Sequence, residues 1–361
     1  MRERMRKPKA IIVGGSIAGI SCAKALILAG GDVVVIEKTC GPPTGNPTGA
    51  GIALHPLSQK INRAVDQEKN ICADFFFIFL HGLIYNTLPV EIVFWGHLYL
   101  TFCISHNKST VNVKAKNLRT DVIIDVVGDL LVAADGSRSS VRRTFLPDSK
   151  LRYTCYYAWS GVFDFSESEN SETIQGIRKA YPTLGNGVHT DLAPGTHIVL
   201  YELMYKRLNW IWYISQPEPE LKLARVIKET KEPFLNLIYD CDPLTQVYCD
   251  NVVFIRDAAH PITPHCARST NMAIADAAVL GKCLEKLGEE NLHSALEEYQ
   301  SVRLPVTTKQ VLHSRRVGQI KLGLPLPDRV PFDPKTTSPE DCEILKQRSL
   351  PFFDDVPATL E

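Results

Sequence analysis

The sequence predicts an α/β fold: a parallel sheet carrying a β-meander, interleaved with a second unit built on its own sheet. Three observations predict it. "AIIVGG" (10–15) and "DVVVIEK" (32–38) are β-rich runs flanking an Ala/Ile/Leu-rich segment of helical length, the pattern of a βαβ opening. Residues 109–134 read as strands joined by polar turns, Gly128-Asp129 being one turn signal. Aromatic strands ("YYAWSGVFDF", "HIVLYEL", "NWIWYIS") then enrich 151–250, and helical periodicity resumes after residue 265.

Taken in order, the first element has a competing reading. "MRERMRKPKA" followed by "IIVGGSIAGISCAKALILAGG" imitates the basic and apolar regions of a secretory signal. Lys24 inside the apolar run and the regular glycines fit a folded strand-turn-helix instead. Residues 40–51, with four glycines and three prolines, predict a loop, and 57–69 a polar helix. "FFFIFLHGLIYNTL" (75–88) has no formal charge, but its 14 residues fall short of the ~20 that span a bilayer, so core is expected. A further helix is predicted near 221–231, and amphipathic helices in "MAIADAAVLGKCLEKL" and "LHSALEEYQSVRLPVTTKQVLHSRR". The proline-rich tail from 323 reads as a surface strap or a poorly ordered end.

Composition narrows the function classes. Forty basic and 40 acidic side chains cancel, which favours neither nucleic acid nor an anionic membrane as partner. The expected partner is a small molecule, with no stable membrane insertion. Ten cysteines show no Cys-x-x-Cys pair and no metal-ligand spacing, so a reducing, cytoplasmic setting without a metal site is expected.

Three spaced motifs carry chemistry. The turn Gly14-Gly15-Ser16-Ile17-Ala18-Gly19 follows a strand and precedes a helix. Its first glycine makes the tight turn, its last allows helix and strand to pack, and the helix N-terminus faces a diphosphate. Ser16 replaces the middle glycine of the strict fingerprint; it is small enough for close approach and can donate its hydroxyl. Glu37, 18 residues beyond Gly19 and beside Lys38, is placed to accept ribose hydroxyls. Such a finger alone does not separate NAD from FAD. "DGSRSSVR" sets Asp135-Gly136 at a strand end, with Ser139 and Arg142 three and six residues after the glycine. "VVFIRDAAHPITPH" ends an apolar strand in Asp257, two alanines and a His-Pro turn, with Arg256 wedged before the acid.

With these motifs the chain resembles the FAD-dependent aromatic hydroxylases, group A flavoprotein monooxygenases of the p-hydroxybenzoate hydroxylase fold, over roughly residues 8 to 310. "GGSIAG" and "YYAWSG" look most like the 2,6-dihydroxypyridine hydroxylase branch. The resemblance implies a Rossmann-type FAD-binding domain from 8–150 and 250–320, a substrate domain from 151–249, and the tail from 323–361. It implies FAD as cofactor, NADPH or NADH as co-substrate, and hydroxylation of an aromatic or heteroaromatic ring with O2. Asp257 would bind the ribityl chain, Ala258 and Ala259 would be small because backbone passes the cofactor, and Pro264, His265 and the segment to Asn271 would flank the isoalloxazine ring. His265 is the candidate catalytic base; His260 reads as structural.

Three departures from the family pattern leave alternatives open. Arg256 stands where the family has glycine, only 24 residues lie between Pro56 and His81, and the stretch from Trp212 to Phe234 is short. A degenerate or truncated, non-catalytic member with weak or no FAD binding is therefore the second reading, and another FAD enzyme such as a reductase the third.

Overall fold

The computed structural model describes residues 7–43, 51–52, 75–203, 206–215, 230, 233–266, 268–287 and 291–345. One sheet is built from Lys9–Val13 (β1), Asp32–Glu37 (β2), Val93–Trp95 (β5), Leu130–Ala133 (β9), Tyr248–Cys249 (β15) and Val252–Phe254 (β16). Their spatial order is β15-β16-β9-β1-β2-β5, and every pair except β15 with β16 is parallel. Gly51–Ile52 (β3) and Phe75–Phe76 (β4) form a separate antiparallel pair. The register sets Val13 against both Ile36 and Ala133, and Ala133 against Phe254. Four strands thus end at one level, and the residues that follow them leave from a single edge.

These strands are continuous apolar runs because both faces of a parallel sheet are covered. Ile17–Leu28 (α1) packs against Ser269–Leu287 (α5), so closely that a Cβ on Gly281 would stand 3.0 Å from the Cβ of Ala25. The uncharged run expected in the core forms Phe77–Tyr85 (α2), whose Leu80 and Ile84, with Leu88 beyond it, join the same apolar cluster. No described helix is long and apolar enough to cross a membrane. The predicted helices at 57–69 and 221–231 lie wholly or mostly outside the described residues, as does most of the loop at 40–51.

The meander is His97–Ile104 (β6), Val111–Asn117 (β7) and Ile123–Gly128 (β8), an antiparallel three-stranded sheet. In β7 the alternation buries Val111, Val113 and Ala115 on one face. The meander ends at Gly128 and does not run on to residue 134 as expected. "LLVA" at 130–133 is buried throughout and pairs with β1 and β16, so Gly128-Asp129 is where the chain changes sheets.

The second sheet has five antiparallel strands in the order β11-β12-β13-β10-β14: His189–Ala193 (β11), Thr196–Leu203 (β12), Arg207–Ser215 (β13), Arg152–Asp164 (β10) and Phe234–Asp240 (β14). One face carries Phe163, Leu208 and Trp210 onto Glu172–Ala180 (α4). Period-two geometry turns Ala158, Ser160, Asn209, Ile211 and Tyr213 to the other face. Leu292–Lys321 (α6) ties the two sheets together. Its Arg315 holds the buried Asp240 at 2.5 Å, and Asp240 also receives Arg152 at 2.9 Å.

As far as Leu345 the tail is an anchored strap. Phe332 and Leu345 are buried with Cys266, Val317 and Ile320. Phe332→Ala is expected to lower global stability by about 3 kcal/mol through the cavity it leaves, read as the midpoint of urea unfolding. An unchanged midpoint would show that the strap merely rests on the surface.

Candidate active site

The turn after β1 is fixed by sterics. Gly14 has φ +108, and a Cβ there would stand 2.4 Å from the Ala134 carbonyl oxygen; one on Gly19 would stand 1.8 Å from the Gly14 oxygen. Neither position admits another residue without moving backbone. Ser16 precedes α1 in extended conformation, and its side chain does not cap the helix. Glu37 closes the turn from below: Oε2 accepts the Gly15 N–H at 2.6 Å and Oε1 the Thr39 N–H at 2.9 Å. From the other side the buried His81 donates Nε2–H to the Gly15 carbonyl at 2.8 Å. Burial lowers the pKa of His81, against the opposing pull of that carbonyl and of Glu37. Sequence reasoning missed His81; the signal was a lone histidine in an apolar helix, which needs a polar partner once buried. Lys38 is exposed just past the edge, and Ile17 and Ala18 are buried.

At the end of β9, Asp135 Oδ2 accepts the Ser140 N–H at 2.8 Å, while Oδ1 is buried without a hydrogen-bond partner. Ser139 caps Ser140–Phe145 (α3), accepting the Arg142 N–H at 2.9 Å. Arg142 is itself 1% exposed. Its guanidinium donates to the carbonyls of Asp257 at 3.1 Å and Ala258 at 2.9 Å, and to that of Ser137. In this structure the second motif's arginine laces the second motif to the third.

The third motif turns at Arg256, whose φ is +51. A glycine adopts that left-handed conformation freely and an arginine does not, so the family's preference here has a backbone cause besides close approach. The turn is held by Asp276, a fully buried carboxylate on α5. Its Oδ2 accepts the Arg256 N–H at 2.8 Å and His260 Nε2–H at 2.6 Å, and its Oδ1 accepts Arg303 Nε–H at 2.7 Å. Burial alone would raise the pKa of Asp276; His260, Arg303 and these hydrogen bonds bring it to about 2. Ala258 and Ala259 are buried, and Asn271 is buried in the first turn of α5. Asp257, the expected ribityl ligand, is engaged by its own chain: Arg256 Nη1 lies 2.8 Å from Oδ2, and Ser269 donates to Oδ1 at 3.3 Å.

Asp257 and Pro264 line a cleft of about 580 Å³ whose floor is the second sheet, with Ser160, Asn209, Tyr213 and Asn236 facing in. His265 lies behind this wall. It is buried, shares a 2.9 Å hydrogen bond with the Tyr156 hydroxyl, and packs its ring 4.7 Å from that of Tyr213. Burial, then the charge of Lys321, lowers its pKa to about 3, so the imidazole is neutral at pH 7. A larger cleft, about 740 Å³, opens at the opposite ends of the strands around Lys9, Asp129 and Asp250. Parallel sheets bind ligands at the carboxyl ends of their strands, and the larger cleft is at the wrong end.

No family model matches the sequence. The chain is 32% identical over 213 residues to an aurachin C monooxygenase/isomerase from Stigmatella aurantiaca, a match covering 54% of this chain and 51% of that protein; there it spans about half the relative's length. It is 24% identical over 360 residues to a 3-hydroxybenzoate 6-hydroxylase from Klebsiella oxytoca, covering 86% and 88% of the two chains. Among solved structures, Klebsiella pneumoniae HpxO complexed with FAD and uric acid superposes with a TM-score of 0.71 at 21% identity, over 88% of this chain and 89% of that one. The chain is thus similar in sequence to FAD-dependent aromatic hydroxylases and shares their fold. The glycines of the β1 turn, where a Cβ would strike backbone, and the orphaned Asp135 Oδ1, which offers an acceptor, fit a dinucleotide at this edge. At Asp257 the fit is conditional on Arg256.

Asp276→Asn would leave Arg303 buried without a counter-charge, a loss of about 3 to 5 kcal/mol. Because the native carboxyl titrates below its ordinary value, its contribution is present above about pH 4 and fades as pH falls toward about 2. Urea midpoints between pH 2 and 5 should slope for the parent and lie flatter for the variant; parallel profiles would remove Asp276 from this role.

Proposed function

We propose that this chain is an FAD-dependent monooxygenase that hydroxylates an aromatic or heteroaromatic small molecule using NAD(P)H and O2. One observation carries the reading: Gly14, Glu37, Asp135 and Asp257 converge on a single strand edge that meets a cleft floored by a second sheet. The hydroxybenzoate hydroxylase relative and the FAD and uric acid complex of the structural neighbour support a hydroxylated ring as substrate. Residues 8–150 with 250–320 would form the cofactor domain and 151–249 the substrate domain.

The chain's own residues have distinct tasks. The N–H groups at the start of α1 would face the diphosphate, while Glu37 would accept the adenosine ribose hydroxyls and Asp257 the ribityl hydroxyls. Pro264 and the segment to Asn271 would flank the ring system. Bound there, FAD supplies the redox chemistry, carrying electrons from NAD(P)H and activating O2 for transfer of one oxygen atom to the substrate. Tyr213, Ser160, Asn209 and Asn236 orient the ring and exclude water. His265, neutral and bonded to Tyr156, acts as a positioning residue that backs Tyr213; acceptance of a substrate proton would have to pass through Tyr156. The second reading, a relative of these enzymes that does not retain flavin, is favoured by the Arg256–Asp257 ion pair.

The test is the absorbance spectrum of protein incubated with FAD and gel-filtered, followed by NADPH oxidation with a panel of phenols and hydroxypyridines. Bound flavin with substrate-stimulated oxidation and hydroxylated product supports the proposal, and absence of flavin overturns it. Within that assay Glu37→Gln is expected to weaken FAD by ~1.5 to 3 kcal/mol, the value of a hydrogen bond to a charged group. An unchanged dissociation constant would remove Glu37 from the ribose site.

A further inference from the structure

We propose that Arg256 competes with the cofactor for Asp257, so that the ribityl end of FAD docks only when this ion pair opens, whereas the adenosine diphosphate end docks independently of it. The inference rests on the flavin reading above and assigns to one residue a control over cofactor retention.

Three observations carry it. Arg256 is not free to leave by a backbone adjustment: its N–H is pinned to the buried Asp276, and its φ of +51 is held by the turn from Ile255 to Ala259. The Cβ direction is thereby set, and the guanidinium lies on Asp257 Oδ2 at 2.8 Å, both side chains being about three-quarters buried. Asp257 in turn lines the cleft, so the pair sits where the cofactor chain must pass. Ser269 occupies the other carboxylate oxygen, though at 3.3 Å and without charge.

The energetic order follows. A guanidinium and a hydroxyl both make charge-assisted hydrogen bonds to a carboxylate, but only the guanidinium brings a counter-charge, and in a pair about three-quarters buried that attraction is screened less than at the surface. A ribityl hydroxyl therefore does not displace Arg256 by its hydrogen bond alone, and the remainder must come from the diphosphate and adenosine contacts. Those contacts are built by other strands, at Gly14 to Gly19 and at Glu37. The two ends of the cofactor should thus respond differently to a change at Arg256. An arginine serving the diphosphate instead would make both ends respond together.

Calorimetric titration of FAD and of ADP into the parent, Arg256→Gly and Arg256→Asn separates these cases. Glycine relieves the positive φ as well as the charge; asparagine tolerates that φ and keeps a side chain, so agreement between the variants assigns the effect to the ion pair. Circular dichroism checks the fold. Competition predicts FAD about tenfold tighter in both variants, with ADP unchanged. Weaker binding of both ligands would make Arg256 a diphosphate ligand and overturn the proposal, as would FAD affinity equal to that of the parent. Failure of all three proteins to bind FAD would overturn the flavin reading itself, and the proposal with it.

Discussion

The buried carboxylate of Asp276 fixes the rest of the site. It gathers the Arg256 N–H, the His260 ring and the Arg303 guanidinium within 2.6 to 2.8 Å, and so joins a strand end, α5 and α6 at one point. A buried acid costs free energy unless it is paired and hydrogen-bonded, and here each partner also needs the acid. Arg303 is 0% exposed, and Arg256 holds a conformation that its own preferences do not favour. The turn that presents Asp257 to the cleft is therefore set by an interaction on the far side of its backbone.

Arg142 performs the matching task from the neighbouring strand. By donating to the carbonyls of Ser137, Asp257 and Ala258 it satisfies acceptors that a tight turn beside a binding site would otherwise leave bare. With Glu37 and His81 clamping Gly15 from two sides, the edge of the parallel sheet is built before any ligand arrives. Such preorganisation is what lets a site hold a cofactor without spending its binding energy on ordering loops. The contact between Arg256 and Asp257 is the exception, because it satisfies the acid within the chain.

Much of this was legible in the sequence, for physical reasons. A strand buried on both faces must be apolar throughout, so β1 and β2 announce themselves, and the sterics at Gly14 and Gly19 leave a visible spacing. The meander was visible through the alternation of "VNVKA". Its end was misplaced because a four-residue apolar run such as "LLVA" has no period to separate one sheet from the other. Partners distant in sequence were not legible: Gly15 and His81 are 66 residues apart, and Asp276 and Arg303 are 27 apart. Arg256 was visible as an anomaly, but its positive φ and its pairing with the next residue required the fold.

The proposed cofactor site is made of three separate stretches, 14–19, 135–142 and 256–260, on one sheet edge. Amide hydrogen exchange with and without FAD tests this most directly, because it reads all three at once and requires no catalysis. The account predicts that FAD slows exchange in all three stretches together and leaves the opposite edge around Lys9, Asp129 and Asp250 unchanged. Protection confined to 14–19, or strongest at the opposite edge, would contradict it.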